Sequence, residues 1–196
     1  EEKVGPVRCG VKLGGSASFA EFNAPKIARE IGPGPTDAAV AAALGLNVGD
    51  IGFDHHAPSL FSAGVPYAFA PVASLDALAR AKPTAALAPE AIGFAEIYVY
   101  ARADAHETHA FRARMFAPEI GIVEDPATGS AVAAFAGVAH KFEVLGEGWT
   151  QLPVLQGVEM GRPSLIGLEI ELEAGALKAA RISGNAVKVS EGRISV

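Results

Sequence analysis

Cysteine is almost missing from this chain. Its single thiol, Cys9, excludes an internal disulfide and any thiolate metal cluster, and it suits a reducing, cytoplasmic setting. Charge is scarce as well. Only 19% of the 196 residues are Asp, Glu, Lys or Arg, and 16 basic against 22 acidic side chains leave a net charge of -6. No Lys/Arg-rich run interrupts that balance, so neither nucleic acid nor an anionic membrane surface is expected as a partner. The longest apolar runs stop at about ten residues, half of the roughly 20 that a bilayer-crossing helix needs. Nothing reads as a signal peptide, and the chain opens on Glu1-Glu2-Lys3 without an initiator Met, as a fragment or a processed product would.

What is present is apolar: half of all residues, enough for one large core or for one and a half small ones. Val7, Cys9 and Val11 alternate with Arg8, Gly10 and Lys12, and Gly14-Gly15 turns the chain into Ser16–Phe22, which predicts a β-hairpin. Pro25 and the Gly32-Pro33-Gly34-Pro35 run break the pattern and predict a domain junction. Thr36 caps a helix over Asp37–Leu44 closed by Gly45, and Ser74 caps a second over Leu75–Ala81 stopped by Pro83. Strands are expected near Asp50–Phe53 and Val65–Ala70, then at Ile97–Ala101 and Phe111–Phe116. A C-terminal meander follows over Leu168–Leu172, Leu177–Ile182, Ala186–Val189 and Arg193–Val196. Ala131–Ala139 has no polar face, so a helix there must be enclosed, and short strands around it suggest a barrel-like sheet.

The segment Ile122-Val123-Glu124-Asp125-Pro126-Ala127-Thr128-Gly129-Ser130-Ala131 leads into that helix. Two readings of Asp125 stand open. One is an N-cap followed by proline at the first helical position. The other is a carboxylate for proton transfer beside an anion held at the helix start, with Gly129 admitting the ligand and Ser130 adding a hydroxyl.

The same segment resembles the signature of the PhzF-like phenazine-biosynthesis family. Arg114-Met115-Phe116-Ala117-Pro118 upstream agrees, as do Gln156-Gly157-Val158-Glu159-Met160-Gly161-Arg162-Pro163-Ser164 and Gly184-Asn185-Ala186-Val187-Lys188-Val189-Ser190-Glu191-Gly192 downstream. The resemblance implies an α+β, diaminopimelate epimerase-like fold of two lobes, each a barrel-like sheet around a central helix, with the active site between them. It implies a cofactor-independent isomerase. In the phenazine enzyme the substrate is a dihydro-hydroxyanthranilate, and a glutamate of the first lobe moves a proton between ring carbons. By motif, Asp125 matches the second-lobe acid, Gly129 and Ser130 match contacts to the substrate carboxylate, and Thr128 orients the loop beside Ala131. The glutamate and a Gly-His-Pro motif belong before Val4-Gly5-Pro6-Val7. Neither motif is found in these residues, so the resemblance implies a partial first lobe over 1–33 and a complete second lobe over 34–196, whose last strand returns toward the first lobe. The thiol racemases of this fold use two cysteines, which one Cys cannot supply.

Weaker signals remain. Asp54-His55-His56 resembles the acid-histidine runs of metal-dependent phosphoesterases, but reads first as a solvated loop. His106 and His109, three apart, would suit zinc on a helix; between two strands they read as a polar hairpin. Gly64, in Ser62-Ala63-Gly64 before a strand, is a candidate backbone contact to a ligand or a plain turn. Arg114 pairs with Asp125, with a substrate carboxylate, or with solvent. The expectation is therefore a PhzF-like isomerase, or its second lobe, that transfers a proton on a small carboxylate without metal or cofactor. Thr128, Gly129, Ser130, Ala131, Arg114 and Gly64 contact the substrate, and the partner is a second copy or a separate N-terminal fragment. The alternative is an inactive anion-binding or interaction protein on the same scaffold.

Overall fold

Helix caps and strand alternation decide most of the local structure. The computed structural model describes residues 5–15, 17–93 and 96–194. The opening hairpin forms as β1 (Cys9–Lys12) and β2 (Ser18–Asn23), paired Cys9↔Phe22, while Ser16 in its turn lies outside the described residues. Helix α1 (Asp37–Leu44) starts where Thr36 Oγ1 accepts from Ala39 N and ends at a left-handed Gly45. Ser74 caps α2 (Leu75–Arg80) in the same way, and a single turn, α3 (Pro89–Ile92), follows.

Two short strands escaped the sequence: β3 (Arg29–Gly32) and β4 (Ser59–Ser62), which pair with each other across the Gly32–Pro35 run. That run therefore does not interrupt the sheet. The strand expected near Asp50–Phe53 is instead a short 3-10 turn at Val48–Asp50 with bridges at Ile51 and Phe53. The remaining strands are β5 (Pro66–Pro71), β6 (Ile97–Arg102), β7 (Phe111–Ala117), β8 (Ile122–Asp125), β9 (Gly148–Gln151), β10 (Val154–Gln156), β11 (Ser164–Glu173) and β12 (Ala176–Ala186). Strand β12 extends the expected Leu177–Ile182 piece at both ends, whereas of the expected Ala186–Val189 strand only Ala186 is in sheet. Residues 187–194 carry no strand, and the last two positions of the expected Arg193–Val196 strand lie outside the described residues.

The fold is α+β and mostly sheet. The strands run in the order β1-β2-β12-β11-β10-β7-β6-β5-β4-β3, with β8 on β7 and β9 on β11. Among the described residues only β5–β6 and β7–β10 pair in parallel. Alternation sorts the side chains to two faces. Tyr67, Phe69, Tyr98, Tyr100 and Phe111 join one core with helix α4 (Gly129–Phe142), whereas Ala68, Ala70, Ile97 and Val99 join another with Val40 and Leu44 of α1 and Leu78 of α2. Burial on both faces is why β6 is apolar from Ile97 to Ala101, before the exposed Arg102. Every residue of α4 from Ala131 to Ala139 is buried, and the helix packs against β3, β4, β5, β11 and β12. Gly137 permits that approach, since a Cβ there would stand 2.5 Å from Phe61 Cδ1.

Candidate active site

Strand β8 lies antiparallel to β7, with Met115 opposite Asp125. That pairing holds the Asp125 backbone in sheet, so Asp125 is not the helix cap. A turn intervenes, Thr128 takes the N-cap position, and α4 begins at Gly129. The capping interpretation of Asp125-Pro126 is thereby overturned. Its carboxylate instead accepts a 2.6 Å hydrogen bond at Oδ2 from the Thr128 hydroxyl. No other side-chain or backbone donor among the described residues reaches it.

Gln156, at the end of β10, was not singled out by the sequence. It is fully buried. Its Nε2 donates to the Asp125 carbonyl (2.6 Å) and to Thr128 Oγ1 (2.9 Å), and its Oε1 accepts from Thr128 N (3.2 Å) and from the Tyr98 hydroxyl (3.1 Å). A second phenol, Tyr67, lies 2.7 Å from Ser130 Oγ. Burial is the main cause that raises both phenols above the ordinary tyrosine value; the Asp125 charge adds to it, and the hydrogen bond with Ser130 opposes it at Tyr67. Both therefore stay protonated at neutral pH. Only the parallel pairing of β10 with β7 brings residue 156 to residue 128, and no local pattern announces that.

The predicted contact residues separate into two groups. Thr128 is buried, and its N–H and hydroxyl are already spent on Gln156 Oε1 and Asp125 Oδ2. Ala131 is fully buried and its N–H donates to Thr128 O, so the ligand contact expected of it is corrected: nothing polar is left there to offer. Gly129 and Ser130 differ. Among the described residues their N–H groups have no acceptor, Gly129 is half-buried, and Ser130 is exposed. These are the leading N–H groups of a 14-residue helix, where the dipole favours an anion. Gly129 also lines a cleft of about 250 Å³ with Phe22, Ile166 and Ile182.

Arg114 takes none of the three roles weighed for it. It is buried, its Nε and Nη2 grip both oxygens of Glu124 at 2.8 Å, and its Nη1 donates to the Leu78, Ala79 and Ala81 carbonyls at the end of α2. It ties the β7–β8 pair to α2, and four of its five N–H donors are committed to Glu124 and the α2 carbonyls. Gly64 sits at the β4–β5 turn with a φ of 130° and lines a different cleft with Lys26, Arg29 and Ser62. The two clefts share no residue.

The weaker motifs also find their places. His56 is not solvated. It is buried between Phe53 and Phe142, its Nδ1 lies 2.9 Å from Tyr100 Oη, and its Nε2 lies 2.7 Å from Glu143 Oε1. His106 and His109 lie in the turn between β6 and β7, the first exposed and the second buried; no metal-binding cluster forms among the described residues. Cys9 is exposed on β1.

Known proteins agree with this architecture. An uncharacterized isomerase of Mesorhizobium japonicum is 44% identical over 202 residues, covering all of this chain and 67% of its own length. The trans-2,3-dihydro-3-hydroxyanthranilate isomerase of Pseudomonas chlororaphis is 44% identical over 85 residues, 43% of this chain and 30% of that protein. Among solved structures, a Bacillus anthracis phenazine biosynthesis protein of the PhzF family superposes with a TM-score of 0.82 at 23% identity, over 97% of this chain and 65% of that one. A predicted epimerase of Pseudomonas aeruginosa gives 0.68 at 26% identity, over 94% of this chain and 64% of its own. This chain thus spans about two thirds of the relatives that it matches over its full length. The phenazine biosynthesis-like protein family, PhzC-PhzF, matches residues 1–192, and the chain belongs to that family.

Proposed function

We propose that this chain carries the second-lobe half of a PhzF-like isomerase that moves a proton on a small carboxylate substrate without metal or cofactor. The Gly129 and Ser130 N–H groups and the Ser130 hydroxyl hold the substrate anion, and Asp125 exchanges the proton. The observation that carries this reading is the capacity left at the start of α4, where the helix dipole is positive: among the described residues the Gly129 and Ser130 N–H groups and one Asp125 carboxylate oxygen have no partner, and the Ser130 hydroxyl is shared with Tyr67. The dipole contributes about 0.3–1 kcal/mol to such a site, and charge-assisted hydrogen bonds add to it. Thr128 orients the Asp125 carboxylate and contributes no ligand contact of its own.

The isomerase names of the relatives support the reaction class. The Pseudomonas chlororaphis relative supplies a first candidate, trans-2,3-dihydro-3-hydroxyanthranilate, which combines a carboxylate with a transferable ring proton. In this proposal residues 1–33 belong to a first lobe and 34–196 to a second, with a barrel-like sheet around α4. The pairing of β12 with β2 supports a last strand shared between them. A glutamate of the first lobe faces Asp125 across the cleft, and the active form is a cytoplasmic homodimer.

The test is solvent exchange. Protein is incubated in D2O with this compound and with a panel of small carboxylates, and deuterium incorporation is read by mass spectrometry. Incorporation that Asp125→Asn abolishes supports the proposal. Saturable carboxylate binding without incorporation would replace it with a silent anion-binding protein.

A further inference from the structure

The geometry points to Gln156 and Gly157 as positioning residues for this site: together they fix the loop that carries Asp125 and the two free N–H groups. Neither would touch the substrate. The inference rests on the proton-transfer reading above for its effect on turnover, but its structural part stands apart from it.

The Gln156 amide has two hydrogens and two acceptor positions, and all four are used. Its orientation is fixed, because the Asp125 carbonyl can only accept and the Thr128 N–H can only donate. The direction of the next bond follows. Since Nε2 donates into Thr128 Oγ1, the threonine proton is left to point at Asp125 Oδ2, 2.6 Å away. One buried amide thus sets the Thr128 peptide, the polarity of its hydroxyl and, through that hydroxyl, the carboxylate.

Gly157 acts from the adjoining position by having no side chain. Its φ is 79°, and a Cβ there would lie 2.8 Å from the Pro126 carbonyl and 2.5 Å from that of Arg162. The loop therefore rests directly on the Gly157 backbone. The segment beyond is anchored in turn, since Arg162 N donates to Gly157 O and Glu159 pairs with Arg112 of β7. Amide bonds on one side and backbone contact on the other leave Pro126–Thr128 a single seat. A displacement of about 1 Å at such a seat lowers turnover roughly 100-fold.

The test compares Gln156→Glu with Gly157→Ala in the full protein. An ionised carboxylate at 156 still accepts from Thr128 N and Tyr98 but has no proton for the Asp125 carbonyl; protonated, it regains one. In the deuterium assay Gln156→Glu should lower kcat about 10- to 100-fold at pH 8 with KM within about threefold, and the deficit relative to wild type at equal pH should narrow as the pH falls. Gly157→Ala should lower kcat about 10-fold with no such recovery. Amide hydrogen exchange is read alongside. Thr128 and Ala131, whose N–H groups are held by Gln156 Oε1 and Thr128 O, should exchange at least about 10-fold faster in both variants, with β11 and β12 within about twofold of wild type. Unchanged loop exchange, or uniform acceleration across the domain, overturns the inference. If Gln156→Glu does not fold, Gly157→Ala and Thr128→Val carry the exchange comparison. A wild type without turnover whose loop still loosens in the variants would refute the isomerase reading and leave the positioning role standing.

Discussion

At its C-terminal end α4 runs into Glu143, which receives His56 at 2.7 Å and Arg102 at 2.6 Å, with Tyr100 on the other nitrogen of the same imidazole. At its N-terminal end it meets Asp125, Thr128 and Gln156, where the Gly129 and Ser130 N–H groups and one carboxylate oxygen remain without a partner among the described residues. Both clusters join a buried helix to strands, and both combine charge with aromatic hydroxyls. The first is closed. A carboxylate at a helix C-terminus opposes the dipole, so Arg102 and His56 offset it, and the rings of Phe53 and Phe142 cover the imidazole. The second is open, and its two free N–H groups have the sign that suits an anion. Burial and charge do not tell the two apart; leftover hydrogen-bonding capacity does.

Four measurements can break or sharpen that contrast. The largest effect is expected at the open end, where Asp125→Asn should reduce deuterium transfer about 10²–10⁴-fold while carboxylate binding changes little. Equal turnover would remove Asp125 from the chemistry. At the closed end His56→Leu leaves Tyr100 and part of Glu143 unpaired. It should cost about 2–3 kcal/mol, seen as a drop in Tm of roughly 5–10 °C, with turnover at 20 °C within about twofold. A loss of turnover without a loss of stability would make the closed end functional too. Ser130→Ala, which also removes the partner of Tyr67, should weaken carboxylate binding about 10- to 100-fold by calorimetry, the value of one hydrogen bond to a charged group. Unchanged affinity would move the anion elsewhere.

The smallest effect concerns acid. The His56 hydrogen bond, followed by Arg102, holds the Glu143 carboxyl down at about 2 from 4.5, against the opposing effect of burial. A depressed folded-state pKa gives stability that is present above pH 4.5 and is lost as the pH falls toward 2. Chemical denaturation across that window should show the decline in wild type and a flatter profile in Glu143→Gln. Asp54, Tyr100 and Arg102 face the same pair, so the comparison with that variant, not the wild-type slope alone, isolates Glu143.

Legibility in the sequence followed the range of the interactions. Thr36, Gly45 and Ser74 mark helix ends through contacts three or four residues away, and α1 and α2 were readable from them. The unbroken apolar run named α4 as a buried helix, and the alternation of Leu168, Ile170 and Leu172 named β11. Three features depend on partners far along the chain and were not readable. Asp125-Pro126 reads locally as a cap, but β7 claims Asp125 for the sheet. Asp54-His55-His56 reads as a polar loop, although Tyr100 and Glu143 bury its second histidine. Gln156 looks like any strand-end amide until the parallel pairing with β7 sets it against Thr128. The start of α4, where the anion site is proposed, was legible because a helix start with Thr, Gly and Ser is local. What holds it in place is not.

The most direct measurement is an amide NMR titration of the isotopically labelled protein with benzoate as a minimal carboxylate probe. Saturable shifts centred on Gly129 and Ser130, reduced in Ser130→Ala and absent around His56 and Glu143, are the predicted result. Shifts centred instead on Lys26, Arg29 and Gly64, or at the closed end of α4, would contradict the assignment of the open end as the anion site.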